Sequence, residues 1–238
     1  MAGGEEEMSY TKRLDGRKFD ELREMKAIVG IVPNADGSAL FAFGDTIAIA
    51  AVYGPKQLHP QHLQDPRRGI LRCNYDMLSF SVPERKKPGP TRRSHEISKV
   101  TQWALSEIVN LEEFPNTVVD VHISILQANA STRCAGINAA ALALAHAGIP
   151  MKEIVSSVSI GKIDDRIVVD VNKEEEEYEE GAGSTDIPMA FLARSKKIAL
   201  FQLDGGIELE QLKDAIEAAE QACKKVYKIQ QEALKDIR

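Results

Sequence analysis

The sequence predicts an α/β chain, an α+β arrangement of two layers in which sheets are backed by packed helices, built from two strand-rich blocks that each run into a helix. Three observations predict it. Residues 118–128 alternate, with Val119, Val121, Ile123 and Ile125 on one face and Asp120, His122 and Ser124 on the other, the period of a half-buried strand. The alanine-rich run from Arg133 to Ala147 follows almost at once and stops at Gly148-Ile149-Pro150, the punctuation of a helix end. Near the end of the chain, Leu209, Leu212, Ile216, Ala219, Cys223, Val226 and Leu234 line much of one face of a long helix.

The other elements follow in chain order. Residues 1–12 read as a mobile tail. Ala27–Val32 and Leu40–Phe43 are apolar strands around the turn chemistry of Asn34-Ala35-Asp36-Gly37, and Gly44-Asp45 turns the chain into a long strand from Thr46 to Tyr53. Residues 54–68 are too polar for core and are expected as a surface loop or short helix. Ile70–Val82 is expected as a strand and 83–90 as a proline- and lysine-rich loop. A helix begins near Ser94, with Ile97, Val100, Ala104, Leu105 and Ile108 at helical spacing, and Trp103 belongs to its core side. In the second block, Val155–Ile160 and Ile167–Val171 are strands. Ile187–Arg194 and Lys197–Leu203 form a hairpin around Ser195-Lys196, and the acidic run 174–177 reads as a solvated loop face. The blocks meet near residue 150 without linker composition, so 13–150 and 151–238 are expected as halves of one compact unit.

Composition excludes several classes. A chain of 238 residues with 43% hydrophobic content buries a full core. No apolar run approaches the roughly 20 residues of a membrane span, and the polar, acidic start lacks a signal peptide's basic and apolar regions, so a cytoplasmic location is expected. Cys73, Cys134 and Cys223 form no CxxC pair and are expected as reduced, mostly buried thiols. GxGxxG and GxxxxGK[ST] fingerprints are absent, which argues against dinucleotide and P-loop enzymes. His59 and His62 have metal-pair spacing without an evident third ligand and are read as surface residues; His95, His122 and His146 are read as structural. With a net charge of −6, polyanion binding has to come from local basic clusters.

Three such features converge on phosphate chemistry. Asn129-Ala130-Ser131-Thr132-Arg133 lies between a strand and a helix start. Ser131 and Thr132 are good N-cap residues, the helix N-terminus offers free N–H groups and partial positive charge, and Arg133 adds a planar fork of donors. A phosphate fits there, although an ordinary capped helix with a surface arginine has the same sequence. Arg92-Arg93 before another helix, with Arg85, Lys86 and Lys87 upstream, can grip successive backbone phosphates or sit as a solvated pair on a rim. Asp186 follows a glycine-containing loop at a strand entrance, where a carboxylate serves as general acid or metal ligand or simply faces water; Glu180 is a candidate second carboxylate.

The ordered segments Leu14-Asp15-Gly16-Arg17, Asn34–Ser38, Ala50–Pro55, Arg92-Arg93, Ile125–Ala128, Ala147–Pro150 and Leu200–Leu203 make the chain resemble the RNase PH family, in the form of the catalytic chains of the archaeal exosome, over nearly its whole length. That resemblance implies an RNase PH-like βαβα unit used twice, of the ribosomal protein S5 domain 2-like kind. It implies a phosphate-dependent 3′→5′ exoribonuclease that releases nucleoside diphosphates from single-stranded RNA and runs backwards as a 3′ tailing enzyme. By the family pattern Ser131, Thr132 and Arg133 bind phosphate, Arg92 and Arg93 bind RNA, and Asp186 is catalytic. Inorganic phosphate is the co-substrate, and Mg²⁺ is expected on Asp186 with Glu180. The implied partners are an inactive RNase PH-like paralogue in an alternating hexameric ring and cap proteins with RNA-binding domains. Asn129 and Ser131 stand where relatives often carry Asp and Gly. The rival readings are a non-catalytic ring scaffold, a stand-alone homohexameric enzyme trimming transfer RNA, and a hydrolytic nuclease releasing monophosphates.

Overall fold

The computed structural model describes residues 10–179, 181 and 183–235. Among these, β1 (Met25–Val29), β2 (Gly37–Phe43), β3 (Thr46–Gln57), β4 (Ile70–Met77) and β5 (Thr117–Gln127) form one sheet in the order β1-β2-β3-β5-β4. All neighbours are antiparallel except β4 and β5. A parallel pair needs a crossover, which the helix α1 (Arg92–Ser106) supplies. The helix α2 (Thr132–His146) follows β5. The second sheet has the order β7-β6-β8-β9, all antiparallel, from β6 (Val155–Ile163), β7 (Arg166–Val169), β8 (Ser184–Leu192) and β9 (Ile198–Phe201). A one-turn helix α3 (Lys173–Glu176) precedes β8 and the long helix α4 (Leu209–Lys235) follows β9, so strands, helix, strands, helix recur in both halves. No described helix is long and apolar enough to cross a membrane.

The two sheets share α2, which packs on β2, β3 and β5 on one side and on β6 on the other. Its run of Ala135, Ala139, Ala140, Ala141 and Ala143, all fully buried, explains this placement. A helix apolar all round has no face for water, and small side chains allow close approach on both sides. The amphipathic α4 buries one face, with Ala215, Ala219, Ala222, Cys223, Val226, Gln230 and Ala233 inward. The alternation of β5 is real, with Val119, Val121, Ile123 and Ile125 all buried.

Several boundaries differ from expectation. β3 runs past Tyr53 to Gln57 through a bulge that accommodates Pro55, which has no N–H for the ladder. β4 ends at Met77 instead of Val82 because Leu78–Ser81 closes a turn, Ser81 N donating to Leu78 O at 2.9 Å. α1 begins at Arg92, two residues earlier than expected, because Thr91 and Ser94 form a reciprocal capping box. Trp103 is 58% exposed and is not core. The acidic run is not a solvated loop face: it forms α3, and the Glu175 side chain is fully buried. Arg13, equally buried, bonds it through Nε at 2.8 Å and Nη2 at 2.7 Å and spends its remaining donors on backbone carbonyls. That pairing is what makes two buried charges tolerable. Tyr10 Oη also donates to Glu175, at 2.9 Å, and its ring is buried, so this residue is anchored where a mobile tail was expected; residues 1–9 of that expected tail lie outside the described residues.

Gly37 is not a turn residue but the first residue of β2. A Cβ there would lie 2.3 Å from Ala143 O and 2.4 Å from Ala147 N, both backbone atoms at the end of α2. Gly37→Ala is therefore expected to destabilise the chain by about 1–3 kcal/mol, the usual overpacking cost. Thermal unfolding checks this, since a drop of roughly 2–4 °C in Tm per kcal/mol is normal at this size. An unchanged Tm would mean that α2 does not pack this closely.

Candidate active site

Two clefts of about 360 and 280 Å³ adjoin where the halves of the chain meet, and they share Arg93, Arg133, Glu176, Asp186 and Pro188. The first also reaches Ser131, Thr132 and Cys134; the second reaches Glu96, Gln202 and Asp204. Each side chain is placed by an element described above. Arg93 lies in the first turn of α1, Arg133 in the first turn of α2, Glu176 at the end of α3, and Asp186 on β8 beside Gly161 of β6.

The first turn of α2 opens onto the larger cleft, and a helix leaves the N–H groups of that turn without intrahelical partners. Ser131 occupies the N-cap position, but its side chain does not cap. Its hydroxyl instead lies 3.3 Å from Asp170 Oδ1 and 3.2 Å from Val171 O. The expected capping role of Ser131 is thus replaced by a tether to the second half, while the residue still lines the cleft. Thr132 is buried at the cleft wall. The Arg133 guanidinium is held by Gln202 Oε1 and, at 3.5 Å, by Glu96 Oε1, while Gln202 Nε2 donates to Glu96 at 2.7 Å.

Asp186 faces this positive wall. Burial raises its carboxyl above the usual carboxylate range, and the charge of Asp204 adds to that. The Ser159 hydroxyl, which donates to Asp186 Oδ1, and the charges of Arg133 and Arg93 oppose it without cancelling it. Its backbone is fixed by a reciprocal pair with Asp204, Asp186 N to Asp204 O at 3.0 Å and the reverse at 2.9 Å. Glu176 is raised in the same way, by burial first and by the charge of Asp186 second. A half-buried carboxyl whose hold on its proton is strengthened by burial, opposite two arginines and a helix N-terminus, can donate to a leaving oxygen while the positive side holds anions.

The structure thus brings Ser131, Thr132, Arg133, Arg93 and Asp186 together. Arg92 is exposed and lines neither cleft, and Glu180 lies outside the described residues. Upstream, Lys86 is drawn away from the basic cluster by Asp76 at 2.9 Å. Ser159 and Glu96 carried no signal in the sequence, and Gln202 was visible only as part of the Leu200–Leu203 segment. Glu176 was visible only as one of four consecutive glutamates. Cys134 lines the cleft, but burial pushes its thiol up to about 12, which disfavours the nucleophilic thiolate.

Comparison with known proteins gives the following. The model of the "3′ exoribonuclease family, domain 1" matches residues 21–150, and that of the "3′ exoribonuclease family, domain 2" matches residues 153–222. The chain is 52% identical over 225 residues to the exosome complex component Rrp41 of Thermococcus kodakarensis, covering 94% of this chain and 89% of the relative. It is 46% identical over 224 residues to that of Methanopyrus kandleri, covering 94% and 92%. Among solved structures, rice Rrp46 matches with a TM-score of 0.83 at 25% identity, over 94% of this chain and 100% of that one. A chain of the Archaeoglobus fulgidus exosome with RNA bound to the active site matches with a TM-score of 0.77 at 23% identity, over 92% of each, which shows a shared fold.

Proposed function

Because the chain belongs to the 3′ exoribonuclease family, we propose that it is the catalytic subunit of an archaeal exosome, a phosphorolytic enzyme that shortens single-stranded RNA from its 3′ end. The observation that carries this reading is the opposition of Asp186 to Arg93, Arg133 and the N-terminus of α2 across one groove. Phosphate and the terminal phosphodiester are both anions, and only a strongly positive wall holds them in contact. In this reading the first turn of α2 and Arg133 bind the attacking phosphate, and Arg93, with Arg92 on the rim, binds the RNA backbone. A phosphate oxygen forms the new bond to phosphorus, the bond to the 3′ oxygen of the preceding nucleotide breaks, and Asp186 gives that oxygen its proton. The product is a nucleoside diphosphate, and the reverse reaction adds nucleotides.

Mg²⁺ fits the same groove. Asp186 and Glu176 are two carboxylates whose mutual repulsion a cation relieves, and Mg²⁺ commonly takes one or two carboxylates together with substrate phosphates. No group of three His, Cys, Asp or Glu suited to a metal occurs among the described residues. Asp186 and Glu176 are the residues that would hold the ion, with Asp186 then ionised and serving as ligand instead of acid, and when bound it would neutralise charge on the reacting phosphates.

The proposal includes an alternating six-membered ring with an inactive paralogue, cap proteins carrying RNA-binding domains, and a cytoplasmic location. Two observations support partners: the relatives are named as components of a complex, and Trp103, Ile198 and Phe201 on the adjoining α1 and β9 are all more than 40% exposed. Purified complex given end-labelled single-stranded RNA should release nucleoside diphosphates only when phosphate is present. Monophosphates without phosphate would mean a hydrolase, and bound but intact RNA would mean a scaffold.

A further inference from the structure

The loop that joins β5 to α2 is held from behind. Ala130 and Ser131 both lie in the left-handed region, at φ 55° and 53°, where side-chain-bearing residues stay only if their surroundings fix them. Arg23 Nη1 donates to Asn129 O at 2.6 Å. The Thr46 hydroxyl accepts from Asn129 N at 2.9 Å and lies 2.9 Å from Ala130 O. It is also 2.8 Å from Asn129 O, but Arg23 already serves that carbonyl, so the single hydroxyl proton is available to Ala130 O. Arg23 is locked in turn by Asp170, which accepts from Nη2 at 2.7 Å, Nε at 3.0 Å and the Arg23 main-chain N at 2.9 Å. Asp170 and Thr46 are fully buried, and Arg17 approaches Asp170 at 3.5 Å.

The consequence is an orientation. With the carbonyls of Asn129 and Ala130 drawn back onto Arg23 and Thr46, the trans peptides point the N–H groups of Ala130 and Ser131 the opposite way, and both residues line the cleft together with the start of α2. A peptide flipped the other way would present carbonyl oxygens to an anion and repel it. The same loop also sets the opposite wall, because the Asn129 side chain accepts from Lys173 N at 2.9 Å, at the first residue of α3, which carries Glu176.

We propose that Arg23, Thr46 and Asp170 are positioning residues for the phosphate co-substrate: without touching it, they hold the Asn129–Ser131 loop with the N–H groups of Ala130 and Ser131 outward. This rests on the reading that the α2 N-terminus takes phosphate. The test uses the assembled complex and inorganic phosphate as the probe, with initial rates measured against phosphate and, separately, against RNA. Thr46→Val keeps the shape and removes the hydroxyl; Thr46→Ser restores it; Arg23→Lys keeps the charge and loses the fork. Thr46→Val and Arg23→Lys should each raise KM for phosphate about 10-fold, the worth of one well-placed hydrogen bond. KM for RNA should hold, and Thr46→Ser should behave as wild type. If Thr46→Val fails to fold, Arg23→Lys carries the same test. Folded variants with unchanged KM for phosphate, beside a phosphate-dependent wild type, overturn the positioning role alone. An equal change in both KM values also overturns it, because that marks a general structural role. A wild type that needs no phosphate removes the functional reading, and the positioning role falls with it.

Discussion

Asp186→Asn is expected to lower phosphorolytic turnover by about 10²–10⁴-fold, the range for loss of a positioned general acid. Asparagine keeps the size and the hydrogen bond from Ser159 but has no proton to transfer. RNA binding should be little changed, because Arg93 and Arg133 remain in place. The pH dependence separates the two jobs open to this carboxyl. Burial raises Asp186 above the usual carboxylate range, so it keeps its proton to higher pH than an exposed aspartate. If it works as the acid, single-turnover phosphorolysis falls as pH rises through that raised value, and this limb disappears in Asp186→Asn. If it works as a metal ligand, the rate falls instead as pH drops through the same value, because the ligand is the ionised form. The stability term has the sign of the first case: a carboxyl that holds its proton better in the folded state stabilises the fold at low pH, and that contribution is lost as pH rises through the folded value. Turnover close to wild type in Asp186→Asn would remove this residue from the reaction.

Arg133→Gln is expected to cost about 10²–10³-fold in kcat/KM, comparable to deleting one preorganised donor from an oxyanion site. The effect should appear mainly in the dependence on phosphate, because Arg133 stands in the same helical turn as the free N–H groups of α2. Arg133→Lys should recover only part of the loss. A lysine restores the charge but not the planar fork that Gln202 and Glu96 now orient. Arg93→Ala is the contrasting variant. It should weaken RNA binding and reduce the slope of log affinity against log salt by about 0.7, one phosphate contact on a single strand. Should Arg133→Gln and Arg93→Ala prove indistinguishable in phosphate and RNA dependence, the division of the groove into a phosphate side and an RNA side is wrong.

Much of this was written locally in the chain. The alternation of Val119, Val121, Ile123 and Ile125 marked β5, and the alanine run after Ser131 marked α2, because strand and helix periods are properties of neighbouring residues. Asp186 and Arg133 could be singled out because each sits beside a turn or a helix start, where charge meets free backbone groups. The start of α1 was misplaced because Thr91-x-x-Ser94 is a weaker signal than the apolar spacing that follows it.

What the sequence by itself determined was the order and kind of the elements and a candidate phosphate-binding segment, all encoded over a few residues. Only the tertiary structure decided which of four consecutive glutamates is buried against Arg13, 162 residues away, and which one faces Asp186. Only it showed that Ser131 is tethered to Asp170 instead of capping its helix, and that Arg23 reaches Asn129 across 106 residues. The physical reason is that burial and charge pairing depend on what lies within a few ångströms in space. Two charges far apart in the chain become a buried pair only when packing of the sheets around α2 has removed the water between them.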